Sequence, residues 1–209
     1  VSFDEKWSHG SAVCETVYFF VEFVCVFPWK CVSLNNQNRG KIMDGILRKL
    51  PIGIQTFEKL REGDYLYVDK TALVWRIAST ETPYFLSRPR RFGKSLLLST
   101  FEAYFEGKKE LFEGLAIADM EKEWKTYPVF HLDLNAEKYD SPQALVEILS
   151  RQLTQWELKY GKGEDEETLS GRFAGVIRRA CEQSGRGVVV LVDEYDKPLL
   201  QALGDDALL

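Results

Sequence analysis

Pro83–Ser95 reads PYFLSRPRRFGKS. A short apolar, β-prone piece at Tyr84–Ser87 passes into a basic turn that ends in Gly93-Lys94-Ser95. From Lys94 to Glu106 the apolar residues Leu97, Leu98, Phe101, Tyr104 and Phe105 fall largely on one face of a helix, and Gly107 stops it. Strand, turn and helix in that order make a phosphate loop. Successive backbone N–H groups and the positive end of the following helix attract phosphate oxygens. The general signature is G-x-x-x-x-G-K-S/T. Gly93-Lys94-Ser95 fits its second half, while Arg88 stands where the first glycine is expected. If that position needs positive φ, an arginine there costs about 1 kcal/mol. Pro89 also removes one N–H donor. Arg90 and Arg91 add cationic donors for phosphate or for a neighbouring carboxylate.

A second motif argues against chance. Val188–Glu194, VVVLVDE, is an apolar run ending in two carboxylates. A run of this kind is expected to be a strand buried on both faces. Such a strand delivers Asp193 to the carboxyl edge of an open α/β sheet, where ligands bind. The two motifs together predict a nucleotide site. Arg88, Pro89, Arg90, Arg91, Phe92, Gly93, Lys94, Ser95 and Leu96 form its loop. Lys94 reaches the β- and γ-phosphates, and Ser95 and Asp193 hold Mg²⁺. Glu194 polarises the attacking water, so Lys94 and Glu194 carry the catalytic expectation. The role of Asp196 stays open, and Asp133 fits a turn or cap residue better than a catalytic one.

The remaining pattern sets the fold class. Leu50–Glu62 reads as an extended piece and then a short helix, and Tyr65–Val68 as β-prone. Asp69 caps a helix over Lys70–Ser79, and Val129–Leu134 is a strand. Ser141-Pro142 opens a helix carrying Leu145, Ile148, Leu149, Leu153 and Trp156 at helical spacing. Gly161–Glu167 reads as a charged, solvated loop, and Leu169–Ser184 as another helix. Strands alternating with helices predict an α/β fold with a parallel sheet flanked by helices, a P-loop NTPase of the ASCE/AAA-like kind.

The chain has 209 residues, a formal charge of -5 and a pI near 5.3, which argues against a fold-wide basic surface for nucleic acid. Its four cysteines, Cys14, Cys25, Cys31 and Cys181, form no close pair and read as the reduced thiols of a cytoplasmic protein. His9 and His131 are the only histidines, so a zinc site has few ligands. Residues 1–42 differ from the rest and are expected to be a non-native or disordered extension before an incomplete domain at 43–209, with a poorly ordered or edge strand and a targeting or membrane segment as the alternatives. Within them Val17–Phe27, VYFFVEFVCVF, is too short to span a bilayer, so no membrane partner is expected. The start at Val1 and the stop soon after a strand are read as marks of a C-terminally truncated fragment.

These residues resemble a known family. Leu50–Ile54, YLYVDKT at Tyr65–Thr71, YFLSRPRRFGKSLLLST at Tyr84–Thr100, YFEG at Tyr104–Gly107, ELFEGL at Glu110–Leu115, YPVFHLDL at Tyr127–Leu134 and VLVDEYDKPL at Val190–Leu199 resemble the AAA-ATPase-like domain of bacterial uncharacterised proteins. The resemblance implies that the arginine-rich loop is the family's usual form and that ATP is preferred over GTP. It also implies sensor and arginine-finger positions beyond Leu209, and a C-terminal nuclease-like domain of the PD-(D/E)XK superfamily that this chain lacks.

The expected function is a Mg²⁺-dependent ATP-binding, ATP-hydrolysing module that regulates or drives a fused effector domain. The alternatives are a nucleotide-binding switch with little turnover and a nucleic-acid-binding module. The expected partners are nucleotide, further copies of the chain in a homo-oligomer, and nucleic acid through the absent nuclease-like domain. Ile54, Phe57 and Tyr67 are candidates for covering the base, although plain core packing is the simpler account of them.

Overall fold

The computed structural model describes residues 17–20 (backbone only), 48–80, 82–86, 92–135 and 141–197. In chain order the elements are β1 (Val17–Phe20), α1 (Phe57–Glu62), α2 (Thr71–Ala78), β2 (Tyr84–Phe85) and α3 (Lys94–Phe105). They continue as a short 3-10 helix (Lys109–Phe112), α4 (Ala116–Met120), β3 (Val129–Asp133), α5 (Pro142–Tyr160), α6 (Leu169–Ser184) and β4 (Val189–Asp193). The four strands form one sheet in the order β2-β1-β4-β3, and every pairing is parallel. The α/β class with a parallel sheet therefore holds.

Val189–Asp193 is buried at every position, as a strand covered on both faces must be. Because side chains alternate across a strand, β4 feeds two separate cores. Val189 and Leu191 pack with α1 to α4 around Phe57, Leu98, Phe101 and Phe112. Val188, Val190 and Val192 pack with Phe130 of β3 and with α5 and α6. On that second face Phe130 stacks on Trp156 at 4.7 Å between ring centroids. Burying each such side chain contributes about 1.5–3 kcal/mol.

β1 pairs Phe19 with Tyr84 of β2 and Val17–Phe20 with Val189–Val192 of β4. The sequence reading treats residues 1–42 as an extension, yet four of them stand inside the sheet. Their composition, Val-Tyr-Phe-Phe, suits a strand with neighbours on both sides. The expectation of four reduced thiols is not met, because Cys181 is disulfide-bonded. Cys14, Cys25 and Cys31 lie outside the described residues.

Tyr65–Val68 is not a strand. It makes one isolated parallel bridge, Tyr65 with Lys49, and then turns toward α2. The Asp69-Lys-Thr71 piece is a joint between helix ends. Asp69 Oδ1 accepts hydrogen bonds from the Thr71 N–H (2.8 Å) and hydroxyl (2.7 Å), and its Oδ2 accepts one from Ala116 N–H at 2.7 Å. The Thr71 hydroxyl in turn accepts from Ile117 N–H at 3.1 Å. One carboxylate thus ties the start of α2 to the start of α4. Burial pushes the Asp69 carboxyl up, and these hydrogen bonds more than offset it, leaving it below the ordinary range.

The Gly161–Glu167 loop is only partly solvated. Glu166 folds back onto α6, where both its oxygens take hydrogen bonds from Arg179, at 2.5 and 2.9 Å. Beside it Arg172 holds Glu157 of α5 at 2.7 and 2.8 Å. Gly175 makes room for this arrangement, since a Cβ there would sit 1.7 Å from Glu166 Oε1. Helix propensity alone would make Gly175→Ala stabilising by about 1 kcal/mol. We expect the reverse in urea unfolding, a loss of about 1–2 kcal/mol, because displacing Glu166 leaves Arg179 without its partner.

Candidate active site

In a parallel sheet all strands end at one edge. Here β2, β3 and β4 bring Phe85, Asp133 and Asp193 to it, and Asp133 and Asp193 are register partners. Arg88, Pro89, Arg90 and Arg91 lie outside the described residues. Phe92, Gly93, Lys94, Ser95 and Leu96 are described, and they open α3 at this edge.

Gly93 caps α3 in the left-handed region, φ 77° and ψ 29°, which glycine enters at little cost. Among the described residues nothing lies within 4 Å of where its Cβ would be, so from their side the backbone is open to a ligand. Lys94, the first residue of α3, is buried at 5 % exposure, and Ser95 is half-buried. Phe92 is exposed and Leu96 is half-buried. A lysine almost fully covered at a helix start is unusual for a surface turn.

Asp193 is also buried, at 4 % exposure, and its Oδ1 has no hydrogen-bond partner among the described residues. An orphaned buried carboxylate oxygen is costly and calls for water or a cation to satisfy it. Glu194 follows with φ 53°, a left-handed conformation that costs a non-glycine residue about 1–2 kcal/mol. This turn swings Glu194 away from the strand's alternation. Next along, Tyr195 meets Phe85 of β2 at 5.7 Å between centroids, so the end of β4 and the strand that leads into the loop are in contact. Asp196 Oδ1 is a further buried oxygen with no partner.

Asp133 has the turn role its position suggests, as its Oδ1 accepts from Asn135 N–H at 2.7 Å. The Lys197 ammonium donates to the Asn135 backbone oxygen and to its Oδ1, fastening the segment after β4 to the turn after β3. The sequence reading missed His131 and Glu102. His131 Nδ1 lies 3.0 Å from Glu102 Oε2 of α3, and its Nε2 is buried without a partner. Burial lowers the affinity of His131 for a proton, but the Glu102 carboxylate and, further off, Asp193 and Asp133 outweigh it and hold its pKa above the ordinary value. The available signal was the spacing, which puts His131 and Asp133 on one face of β3.

A cavity of about 340 Å³ opens beside Phe92 and Gly93, lined among others by Tyr67, Val74, Tyr84, Leu96 and Phe101. Of the three candidates for covering a base, Tyr67 lines it. Phe57 is fully buried against Tyr67 and Phe112, and Ile54 is not part of the lining.

Residues 51–209 match the family described as Predicted AAA-ATPase. The chain belongs to that family. The AAA-ATPase-like assignment suggests nucleotide binding. A relative from Azotobacter chroococcum mcd 1, described as an uncharacterized protein in the vnfD 5′ region, is 45 % identical over 157 residues. That alignment covers 75 % of this chain and 30 % of the relative, so the chain spans under a third of that protein's length. No solved structure matches. Among the described residues no helix of this AAA-ATPase-like chain is long and apolar enough to cross a membrane.

Oxygen donors such as Ser95 and Asp193 suit Mg²⁺, which keeps several waters and binds through one or two carboxylates plus phosphate rather than in an all-protein cage. No group of three or more His, Cys, Asp or Glu side chains with metal-holding geometry occurs among the described residues. The strain at Glu194 gives a direct test. Glu194→Gly should raise stability to urea by about 0.5–1 kcal/mol, because glycine accepts the positive φ. An unchanged or lower midpoint would show that the turn is not strained.

Proposed function

We propose that this chain is a Mg²⁺-dependent ATP-binding module that hydrolyses ATP in the longer protein, where the energy drives or gates another domain. The observation that carries this reading is the pairing of a buried Lys94, behind the left-handed Gly93, with a buried Asp193 whose Oδ1 lacks a partner. Both belong to one edge of one parallel sheet. A buried carboxylate oxygen without a partner among the described residues calls for a cation. A Mg²⁺·nucleotide at the start of α3 would bring that cation, with its phosphates toward Lys94 and the helix N–H groups.

On this reading the N–H groups at the start of α3 receive phosphate oxygens, favoured by the helix dipole. Lys94 neutralises the β- and γ-phosphates. The Ser95 hydroxyl and the Asp193 carboxylate would hold Mg²⁺, which would supply positive charge against the charge developing on the phosphates. Glu194, turned out of the strand by its positive φ, accepts the proton of the attacking water. Arg88, Arg90 and Arg91 supply further donors to the phosphates or to acidic neighbours. The apolar cavity at Phe92–Gly93 takes the base, with Tyr67 in its wall. The Tyr67 hydroxyl is engaged by Thr100, so shape and apolar contact hold the base there.

Two substitutions separate binding from turnover. Lys94→Ala should weaken ATP binding at least a hundredfold in calorimetric titration. Glu194→Gln should keep binding within about threefold while abolishing phosphate release by the longer protein. ATP binding left undiminished by Lys94→Ala would refute the reading.

A further inference from the structure

Two buried polar atoms on adjacent strands have no partner among the described residues, and they belong to one arrangement. His131 of β3 pairs in register with Leu191 of β4, and Asp133 pairs with Asp193. His131 is therefore diagonal to Asp193 on the same face of the sheet, the face shared with Leu191 and covered by α3. With strands about 4.8 Å apart and about 3.3 Å per residue, their Cα atoms are about 8 Å apart. Imidazole and carboxylate each reach part of that span, which leaves room for one water. His131 Nε2 and Asp193 Oδ1 are the orphans on this face. A buried water needs two to four polar partners, and these two atoms supply the first two.

The other end of His131 is fixed. Glu102 lies on α3, seven residues after Ser95 and so about two turns further along. Its carboxylate accepts from Nδ1 at 3.0 Å, which sets the orientation of the ring. With Nδ1–H given to Glu102, Nε2 either accepts from a water or, when charged, donates to it. In both states the water still donates to Asp193, so the link does not depend on which state is present.

We propose that Glu102, His131 and one water form a polar chain from the phosphate-loop helix to Asp193, making His131 a positioning residue for the Mg²⁺·nucleotide site. The inference rests on the magnesium-nucleotide reading of that site. Mg²⁺ keeps much of its water, so a carboxylate serving its shell needs those waters held in place, and groups that hydrogen-bond to a metal's ligands and waters tune metal affinity. The chain gives His131 a task that packing does not. It makes the placement of Asp193 on β4 depend on α3, the helix that carries Lys94 and Ser95.

The full chain is titrated with ATP in EDTA and again with Mg²⁺, and the ratio of the two affinities is the gain due to the metal. His131→Ala should reduce that gain about tenfold and leave the EDTA affinity unchanged. Glu102→Gln, which keeps an acceptor oxygen for Nδ1–H, should retain most of the gain, and Glu102→Leu should not. Wild-type protein gives a readout that needs no variant. With only two histidines in the chain, His131 is readily assigned by NMR, and its Nε2 signal should move on adding Mg²⁺ to the ATP-bound protein but not on adding ATP in EDTA. An unchanged metal gain in His131→Ala, equal losses with and without Mg²⁺, or a stationary Nε2 signal overturns the inference alone. Failure of wild-type protein to bind ATP overturns the reading beneath it, and the inference with it.

Discussion

A strand covered on both faces can carry polarity only at its end, and β4 obeys that constraint. Val189–Val192 have no water on either side, so each must be apolar, and the first charged residue falls where the strand leaves the sheet. That one condition organises the molecule. It requires a helical layer on each face, which α1 to α4 and α5 with α6 provide. It also leaves Asp193 buried at the edge of the sheet, where its carboxylate has little water and has to be met by something else. Parallel pairing then brings the ends of β2 and β3 to the same edge.

Much of this was readable in the sequence. The helix starts at Ser141-Pro142 and Thr168 were legible because their hydroxyls cap N–H groups a few residues on, which is local chemistry: Ser141 accepts from Ala144 and Thr168 from Gly171. Leu169–Ser184 and the buried strand through Val192 were legible through periodicity. Tyr65–Val68 misled because aromatic and β-branched residues also line cavities, as Tyr67 and Val68 do here. The place of Val17–Phe20 in the sheet was not legible, since long-range pairing leaves no local mark. Glu166 was read as solvated because nothing in a run of acidic residues says which one finds an arginine across a helix.

The candidate site divides along the same line. Gly93, Lys94, Asp193 and Glu194 announce themselves through residue type and spacing along the chain. His131 and Glu102 do not, because their meeting is a property of packing between α3 and β3. The family-like Asp69-Lys-Thr71 piece adds a caution of another kind. It stands out in the sequence, and its carboxylate and hydroxyl are spent on the starts of α2 and α4.

The two helical layers are each held together by different physics. The α1–α4 side is held by aromatic packing, with Phe57, Phe112, Tyr104 and Trp124 in mutual contact. The α5–α6 side adds two shielded ion pairs, Arg172 with Glu157 and Arg179 with Glu166, whose side chains are 6 to 16 % exposed. The desolvation penalty of such pairs shrinks on heating, while apolar burial levels off. Warming therefore shifts the balance of cohesion toward the α5–α6 layer and away from the aromatic layer that carries α3.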